Sequence, residues 1–391
     1  MLNQQQIAII KATVPLLETG GEALTTHFYR IMLGEYPQVR PLFNQAHQAS
    51  GDQPRALASS VLMYARHIDN LGALGGLASQ IVHKHVSLQV LPEHYPIVGA
   101  CLLRAIREVL GEAIATDAVI EAWAAAYQQL ADLLIGAEEA VYAANAAAEG
   151  GWRGVREFRI ARRQPESEEI LSLYLQPLDG GSVPVYQPGQ YLGLQLEIDG
   201  QQLRRNYSLS CAPNGRELRI SVKREAGGVA SAWLHAQAAG AVLQVYPPAG
   251  DFVLQDSPRP LALITAGVGI TPALAMLQAA AASGREIRFI HFARHAGVHA
   301  FRDEVSQLAA ANPQVQAFYC YSEPRQGDEA DAEGMIRPQL LQQWLPASKD
   351  VDAYFLGPKP FMAAARSQLQ EVGVPLSQCR YEFFGPAAAL E

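Results

Sequence analysis

From the N-terminus to about residue 145, apolar side chains recur at three- and four-residue steps and no stretch alternates, the period of helices packed on one face. A first helical block is expected to run to Thr19. A second begins near Gly21 and carries Thr25, His27, Phe28, Tyr29, Met32 and Leu33 to Pro37. Pro15, Pro37, Pro41, Pro54, Pro92 and Pro96 mark helix starts and corners. Pro41-Leu42-Phe43 makes one corner, and Asp52-Gln53-Pro54 caps a helix that includes Leu57. Leu77, Ile81 and His85 step by four, with Val82 and Leu88 three residues either side of His85. That face aims an imidazole into an apolar layer, while His83 and Lys84 turn away. Pro92 stops the helix, and Glu93, His94 and Tyr95 open the next. The last long helix sets Trp123, Tyr127, Leu130, Leu134 and Glu138 on one stripe, so a carboxylate ends an apolar row.

Asn145 to Gly151 (NAAAEGG) breaks the composition, and the period then changes. Short alternating segments follow at Arg156–Ala161, Ile170–Leu175, Gln190–Leu196, Arg204–Ser210, Glu217–Arg224 and Val242–Tyr246, separated by turn residues, as in a small antiparallel barrel. From Pro260 apolar strands alternate with helices: LALIT and a helix to Ser283, IRFIHFA and Phe301–Ala311, QAFYC, DAYFLG and Phe361–Val372, then CRYEFF. That order predicts a mostly parallel sheet. The expected organisation is multi-domain: an all-α domain over residues 1–145, a linker over 146–151, an antiparallel β-barrel over 152–258 and an α/β domain over 259–391.

At 391 residues the chain exceeds one ordinary core, which agrees with that division. With 49% hydrophobic and 17% charged residues it is globular rather than disordered. A net charge of -8 and the lack of a basic tract exclude nucleic acid and acidic membrane surfaces as partners. Pro260–Ser283 is uncharged and long enough to span a bilayer, but Gly267, Gly269 and Pro272 break it in the middle, so a strand, a turn and a helix are expected there and no transmembrane segment. Cys101, Cys211, Cys320 and Cys379 show no C-x-x-C spacing, and MLNQQQIAIIK is not a signal peptide. Both point to a cytoplasmic protein with free thiols.

Several residues carry candidate chemistry. His85 reads either as a core histidine satisfied by a carbonyl or a water, or as a haem-iron ligand. Glu138 is either exposed at a frayed helix end or buried against a partner. Gly267-Val268-Gly269-Ile270-Thr271-Pro272 follows an apolar strand and opens a helix, where backbone N–H groups can meet a phosphate; a tight turn without ligand is the alternative. In Arg205-Asn206-Tyr207-Ser208 an arginine can neutralise a pyrophosphate, a tyrosine can stack on a flat ring and a hydroxyl can bond a ring nitrogen. Gly227-Gly228-Val-Ala-Ser231 precedes the helical AWLHA, a second anion-ready helix start. Each alone fits an ordinary turn or strand; their order together is specific.

Residues 152–391 resemble the ferredoxin–NADP reductase superfamily, an FAD barrel followed by a nicotinamide domain, and the first 145 residues look like a globin. KHVSLQVLPEHY, GDQPRAL, YQPGQY, RRNYSL, VKREAGGVASAWL, PPAGDF, TAGVGITP and YEFFGP carry the resemblance, which over the whole chain is to the flavohaemoglobin family. It implies haem b held by His85, with Tyr95 and Glu138 hydrogen-bonded behind the ring, Tyr29 and Gln53 facing the bound gas, and Phe43 and Leu57 wedging the porphyrin. It implies FAD held by Tyr186, Arg205, Asn206, Tyr207, Ser208, Gly228 and Ser231, covered by Phe384 and tuned by Glu382, with Lys84 toward the flavin–haem gap. NADH or NADPH would lie on Gly267, Val268, Gly269, Ile270, Thr271, Pro272, Gly357 and Pro358.

The activity implied is that of a nitric oxide dioxygenase, converting NO and O2 to nitrate with electrons passed from NAD(P)H through FAD to haem. The same parts fit reduction of alkyl hydroperoxides or other acceptors, or an O2 store or gas sensor kept reduced by its own reductase. The resemblance further implies a monomer, and allows a lipid or other hydrophobic ligand in the distal haem pocket. One departure stands out: near-relatives usually have cysteine before the Gly-Pro of the last cofactor loop, and here Leu356 precedes Gly357-Pro358. Arg294 and His295 follow a strand where a 2′-phosphate could sit, which leaves NADH against NADPH open.

Overall fold

A computed structural model describes residues 2–44, 48 and 50–385. Contacts divide the chain into two compact units, one formed by the segment to Ala146 with Gly200–Arg205, the other by Ala147–Asp199 and Asn206–Phe384.

The first unit is helical: α1 Gln4–Glu35, α2 Asp52–Arg66, α3 Gly75–Ser87, α4 His94–Leu110 and α5 Asp117–Ala147. Asn3 starts α1 with a reciprocal cap, its Oδ1 accepting from Gln6 N at 2.8 Å while Gln6 Oε1 accepts from Asn3 N at 2.9 Å. The expected break between Thr19 and Gly21 does not occur, and Pro15 lies inside the helix rather than at a start. The buried face explains the continuity. Ile10, Thr13, Leu17, Gly21, Leu24, Phe28, Ile31 and Met32 hold three- and four-residue steps across both breaker signals, so tertiary burial outweighs the local cost of proline and glycine. Thr25 Oγ1 donates to Pro54 O at 2.8 Å and ties α1 to α2. The α2 cap also differs from expectation: Gly51, at φ 73°, occupies the cap position, and Asp52 sits in the first turn, where its negative charge meets the positive end of the helix dipole. The core of this unit contains Phe28, Met32, Tyr64, Cys101, Ala105, Trp123 and Ala126.

β1 Arg156–Pro165, β2 Ile170–Pro177, β3 Tyr191–Ile198, β4 Gln201–Ser208, β5 Leu218–Lys223 and β6 Val242–Val245 form one sheet in the order β4-β3-β6-β1-β2-β5, all of it in the second unit except Gln201–Arg205 of β4. The β1–β2, β1–β6, β2–β5 and β3–β6 pairs are antiparallel. An antiparallel bridge from Leu209 to Ile220 joins the residue after β4 to β5, so the two edge strands meet and close the sheet, as the barrel pattern predicts. Helix α6 spans Val229–Ala236.

The remaining lobe stacks β7 Leu261–Ala266, β8 Ile287–Ala293, β9 Val315–Tyr321, β10 Ala332–Glu333, β11 Asp352–Leu356 and β12 Cys379–Tyr381 in the order β10-β9-β8-β7-β11-β12, every neighbouring pair parallel. Helices α7 Ile270–Ala281, α8 Arg302–Ala311, α9 Pro338–Trp344 and α10 Lys359–Glu371 accompany it. The uncharged run at Pro260–Ser283 becomes β7, a tight turn and α7, almost all of it buried in this lobe. Among the described residues no helix is long and apolar enough to cross a membrane, and the four cysteines are free. The two-residue β10 and the short α9 have no counterpart in the sequence pattern. The strand order reverses between β7 and β11, the switch point where open α/β sheets bind ligands at strand carboxyl ends.

Candidate functional site

In the helical unit, α3, α4 and α5 bring three sequence-predicted residues together. His85 Nδ1 lies 2.7 Å from Glu138 Oε1 and 3.2 Å from Tyr95 OH, and Tyr95 OH donates to the same carboxylate oxygen at 2.6 Å. Glu138 is only 2% exposed, so it is the buried carboxylate and not the frayed-end one. Two contacts hold the arrangement. Tyr127 OH donates to Tyr95 O at 2.6 Å, and Gly99 on α4 leaves room for the Tyr127 ring, which a Cβ would meet at 2.6 Å. Alanine at 99 would therefore push α4 and α5 apart. Val90 N donates to His85 O at 2.9 Å, closing the end of α3.

Proton placement follows from the acceptors. A buried carboxylate accepts only, so Nδ1 carries the hydrogen, and the lone pair of a neutral ring is on Nε2, the nitrogen a metal takes. Burial and the Glu138 hydrogen bond push the Tyr95 hydroxyl far above its ordinary pKa, so it stays a donor. Leu57, Val61, Leu77, Ile81, Leu88, Ile97 and Val98 remain half-buried although apolar. The apolar layer expected around His85 is therefore only partly closed by protein atoms. A flat apolar group with a metal at its centre suits both observations, and the donor set fits haem.

Tyr29 is buried against Phe28 and Phe43, with ring centroids 4.9 and 5.5 Å away. Its hydroxyl is hydrogen-bonded to Gln53, and burial, opposed by that bond, drives its pKa well above the usual range. Gln53 Oε1 in turn accepts from Gln48 Nε2 at 3.0 Å, a partner that the sequence pattern did not single out. Phe43 and Leu57 are half-buried, as is Lys84.

In the barrel, Arg205, Asn206, Tyr207 and Ser208 form the second half of β4, all half-buried. Gly227, at φ 72°, and Gly228 turn the chain into α6, beside a cleft of about 430 Å³ lined by Arg224, Glu225, Gly227, Gly228, Val229 and Ala232. At Gly228 a Cβ would lie 2.6 Å from Ser231 Oγ, so a side chain there would displace the serine hydroxyl. A helix start with open backbone in front of it suits an anionic group. The Ser231 hydroxyl is engaged within the turn, accepting from Glu225 N at 3.1 Å and donating to Gly228 O at 3.2 Å. Tyr186 is buried and its hydroxyl donates to Cys211 O at 2.6 Å, leaving its ring as the part able to meet a ligand. Phe384 is 48% exposed, and Glu382 is half-buried.

At the switch point, Gly267 takes φ 53° and Thr271 Oγ1 donates to Val268 O at 2.9 Å. Gly269 has a different reason to be glycine: a Cβ would sit 2.4 Å from Leu356 O. Gly357 likewise faces Ala266 and Phe361, at 2.9 and 2.7 Å. The two loops thus pack backbone to backbone, and Leu356, fully buried, contributes its carbonyl to that contact. Arg294 is ion-paired with Glu169. Among the described residues no group of His, Cys, Asp and Glu forms a separate metal cluster.

Residues 26–134 match the globin family, 166–254 the oxidoreductase FAD-binding domain and 263–367 the oxidoreductase NAD-binding domain. The flavohemoprotein of Pseudomonas aeruginosa is 70% identical and that of Pseudomonas putida 67%, each over 100% of both chains. The crystal structure of a flavohemoglobin from Malassezia yamatoensis with bound FAD and heme covers 98% of this chain and 100% of its own, at TM-score 0.88 and 28% identity. The FAD/NAD-binding domain of a nitric oxide dioxygenase from Vibrio cholerae covers 60% of this chain and all of its own, at TM-score 0.55 and 37% identity. Haem, FAD and a nicotinamide dinucleotide are accordingly the cofactors of an oxidoreductase whose globin, barrel and α/β segments follow in that order. On full-length identity and on the order of its three domains, the chain belongs to the flavohemoprotein family.

Proposed function

We propose that the protein is an NAD(P)H-dependent nitric oxide dioxygenase that turns NO and O2 into nitrate. The observation that carries this reading is the buried Glu138 carboxylate, bonded at once to His85 Nδ1 and to Tyr95 OH. A passive carrier needs a ligating histidine, whereas a buried anion behind it makes the imidazole a stronger donor. Bound haem supplies the site where the two gases combine, and bound FAD divides the hydride donor's electron pair into single electrons.

The chain's own residues have distinct tasks. His85 would hold iron through Nε2, with Glu138 and Tyr95 fixing the ring's tautomer and tilt. Tyr29, kept protonated by burial, would offer its hydroxyl as a donor on the distal side of the haem pocket, while Gln53 aims it. Phe43 and Leu57 would narrow the pocket around the porphyrin. Tyr186, Arg205–Ser208 and Gly228–Ser231 would hold FAD, with Phe384 over its ring and Lys84 and Glu382 tuning its potential. Gly267–Pro272 and Gly357–Pro358 would seat the dinucleotide. The segments serving these tasks are 1–145, 152–258 and 259–391, joined by 146–151. The Vibrio cholerae domain supports the activity, because its parent is a nitric oxide dioxygenase.

Stopped-flow mixing of the dioxygen-bound protein with nitric oxide tests the reading. One nitrate per nitric oxide, with turnover sustained by NADH, is expected. Release of dioxygen without nitrate would overturn it.

A further inference from the structure

A carboxylate outside every predicted site connects the barrel to the α/β lobe. Arg219 on β5 is 4% exposed and meets Glu304 on α8 with two parallel bonds, Nη1 to Oε2 at 3.0 Å and Nη2 to Oε1 at 3.2 Å. The same Glu304 oxygen accepts from Gln278 Nε2 on α7, the helix that starts at the Gly267–Gly269 turn. Each partner then reaches the segment that follows β4. Arg219 donates from Nη2 to Ser210 O and from Nε to Ser210 Oγ at 3.2 Å, and Gln278 Oε1 accepts from Ala212 N at 2.6 Å. A serine chain continues behind Ser210, with Oγ–Oγ separations of 2.7 Å to Ser221 and from there 2.7 Å to Ser172.

The geometry is that of a joint. Arg205–Ser208 runs directly into Ser210–Ala212, and the phosphate turn runs directly into α7. Glu304 bonds to Arg219 and to Gln278, and each of these bonds in turn to the segment after β4. Its negative charge is matched by one guanidinium in a planar fork, which constrains angle as well as distance. A pair made only for adhesion has no need of the amide that carries the same carboxylate on to the backbone beyond the flavin strand.

We infer that Glu304 is a positioning residue: through Arg219 and Gln278 it sets how the nicotinamide ring meets the flavin ring, and so the rate at which hydride, with its electron pair, passes from NADH to FAD. This deepens the cofactor assignment and does not depend on nitric oxide.

The test uses the full-length holoprotein with Glu304→Gln, which keeps the shape and removes the charge, and Gln278→Leu, which leaves the ion pair in place. Flavin reduction is followed by stopped flow with NADH and with NADH deuterated at the transferred position, and amide exchange is read at Ala212. Misalignment of reacting centres is costly, so flavin reduction should slow by about tenfold in Glu304→Gln, with a larger isotope effect. Flavin content, reduction by dithionite and the dissociation constant of NAD⁺ should stay within about twofold, and the Ala212 amide should exchange faster by about tenfold in both variants. Glu304→Asp should recover part of the rate. If Glu304→Gln melts earlier but keeps the parent's rate and isotope effect, the joint is structural and the inference fails. If Glu304→Gln does not fold, Gln278→Leu decides alone: a parental rate and isotope effect sink the inference, and a slower rate with a larger isotope effect supports it. Failure of the cofactor assignment would look different, since the parent itself would then show no flavin reduction by NADH.

Discussion

Replacing Glu138 by glutamine isolates the charge behind His85. The amide oxygen can still accept from Tyr95 and from His85 Nδ1, which lie 2.6 and 2.7 Å from Oε1, so shape and bonding survive while the anion is lost. Bonds to a charged acceptor contribute about 1.5–3 kcal/mol against about 0.5–1.5 for neutral ones, so each of the two bonds weakens by roughly 1 kcal/mol. The carboxylate is 2% exposed, and water screens little of the change. Only the part that differs between ferric and ferrous iron moves the potential. Taking about 1 to 2 kcal/mol for it, and about 59 mV per tenfold in a one-electron couple, the haem midpoint should rise by roughly 45 to 90 mV, because loss of a negative charge favours the less positive iron. Potentiometric titration in the Soret band measures this. A midpoint within about 15 mV of the parent, in a variant with normal haem content, would refute the electronic role assigned to the carboxylate. Glu138→Ala is a harsher change, leaving a buried hydroxyl and a ring N–H without their acceptor, and should cost about 2–4 kcal/mol of stability in chemical denaturation.

Tyr29→Phe removes the hydroxyl bonded to Gln53 and should speed dioxygen dissociation by roughly threefold to tenfold in flash photolysis; an unaltered rate would count against its distal role. Gly269→Ala places a methyl group 2.4 Å from Leu356 O, so the two switch-point loops must part. The melting temperature and the NADH-driven flavin reduction should both fall, by an overpacking cost of about 1–3 kcal/mol, and parental values for both would exclude the clash. Two buried histidines predict acid lability of the α/β lobe. His291 is fully buried and His299 nearly so, their rings 4.5 Å apart, with burial pushing His299 down to about 3 and His291 well below its ordinary value. Both bind protons more readily when unfolded, so their contribution is complete above about pH 6.5 and is lost as pH falls from there toward 3, at up to about 1.4 kcal/mol per pH unit for each ring. Urea midpoints at pH 7.5 and 5.5 should converge in His299→Gln relative to the parent; equal spacing would reject the linkage.

Much of the site was legible because it rests on local rules. Four-residue steps in LASQIVHKHV and in the Trp123–Glu138 stripe put His85 and Glu138 on inward faces, since helical period alone decides which side chains share a face. Glycines ahead of a helix marked both strand-to-helix turns, because few other residues make such turns. The alternation after Gly151, and the strand–helix order after Pro260, dictated a barrel and then a parallel sheet. Local signals failed where packing overruled them. Pro15 and Gly21 read as breaks, yet α1 passes through both because its buried face stays in register. Gly269 gave no local sign of its packing role: the nearest obstacle to a side chain there is a carbonyl 87 positions later, a contact that exists only after β7 and β11 lie side by side.

What the linear chain determined, then, is which residues lie on which face of which element, since that depends on period and on turn chemistry. Only the tertiary structure decided that the Glu138 carboxylate reaches the ring 53 residues before it, that Arg294 is ion-paired with Glu169, and that Glu304 bonds to Arg219 and Gln278. Such pairings have no period to read. They arise from the meeting of separate surfaces, and a polar group buried there must find its partner wherever the packing of apolar faces brings one within reach.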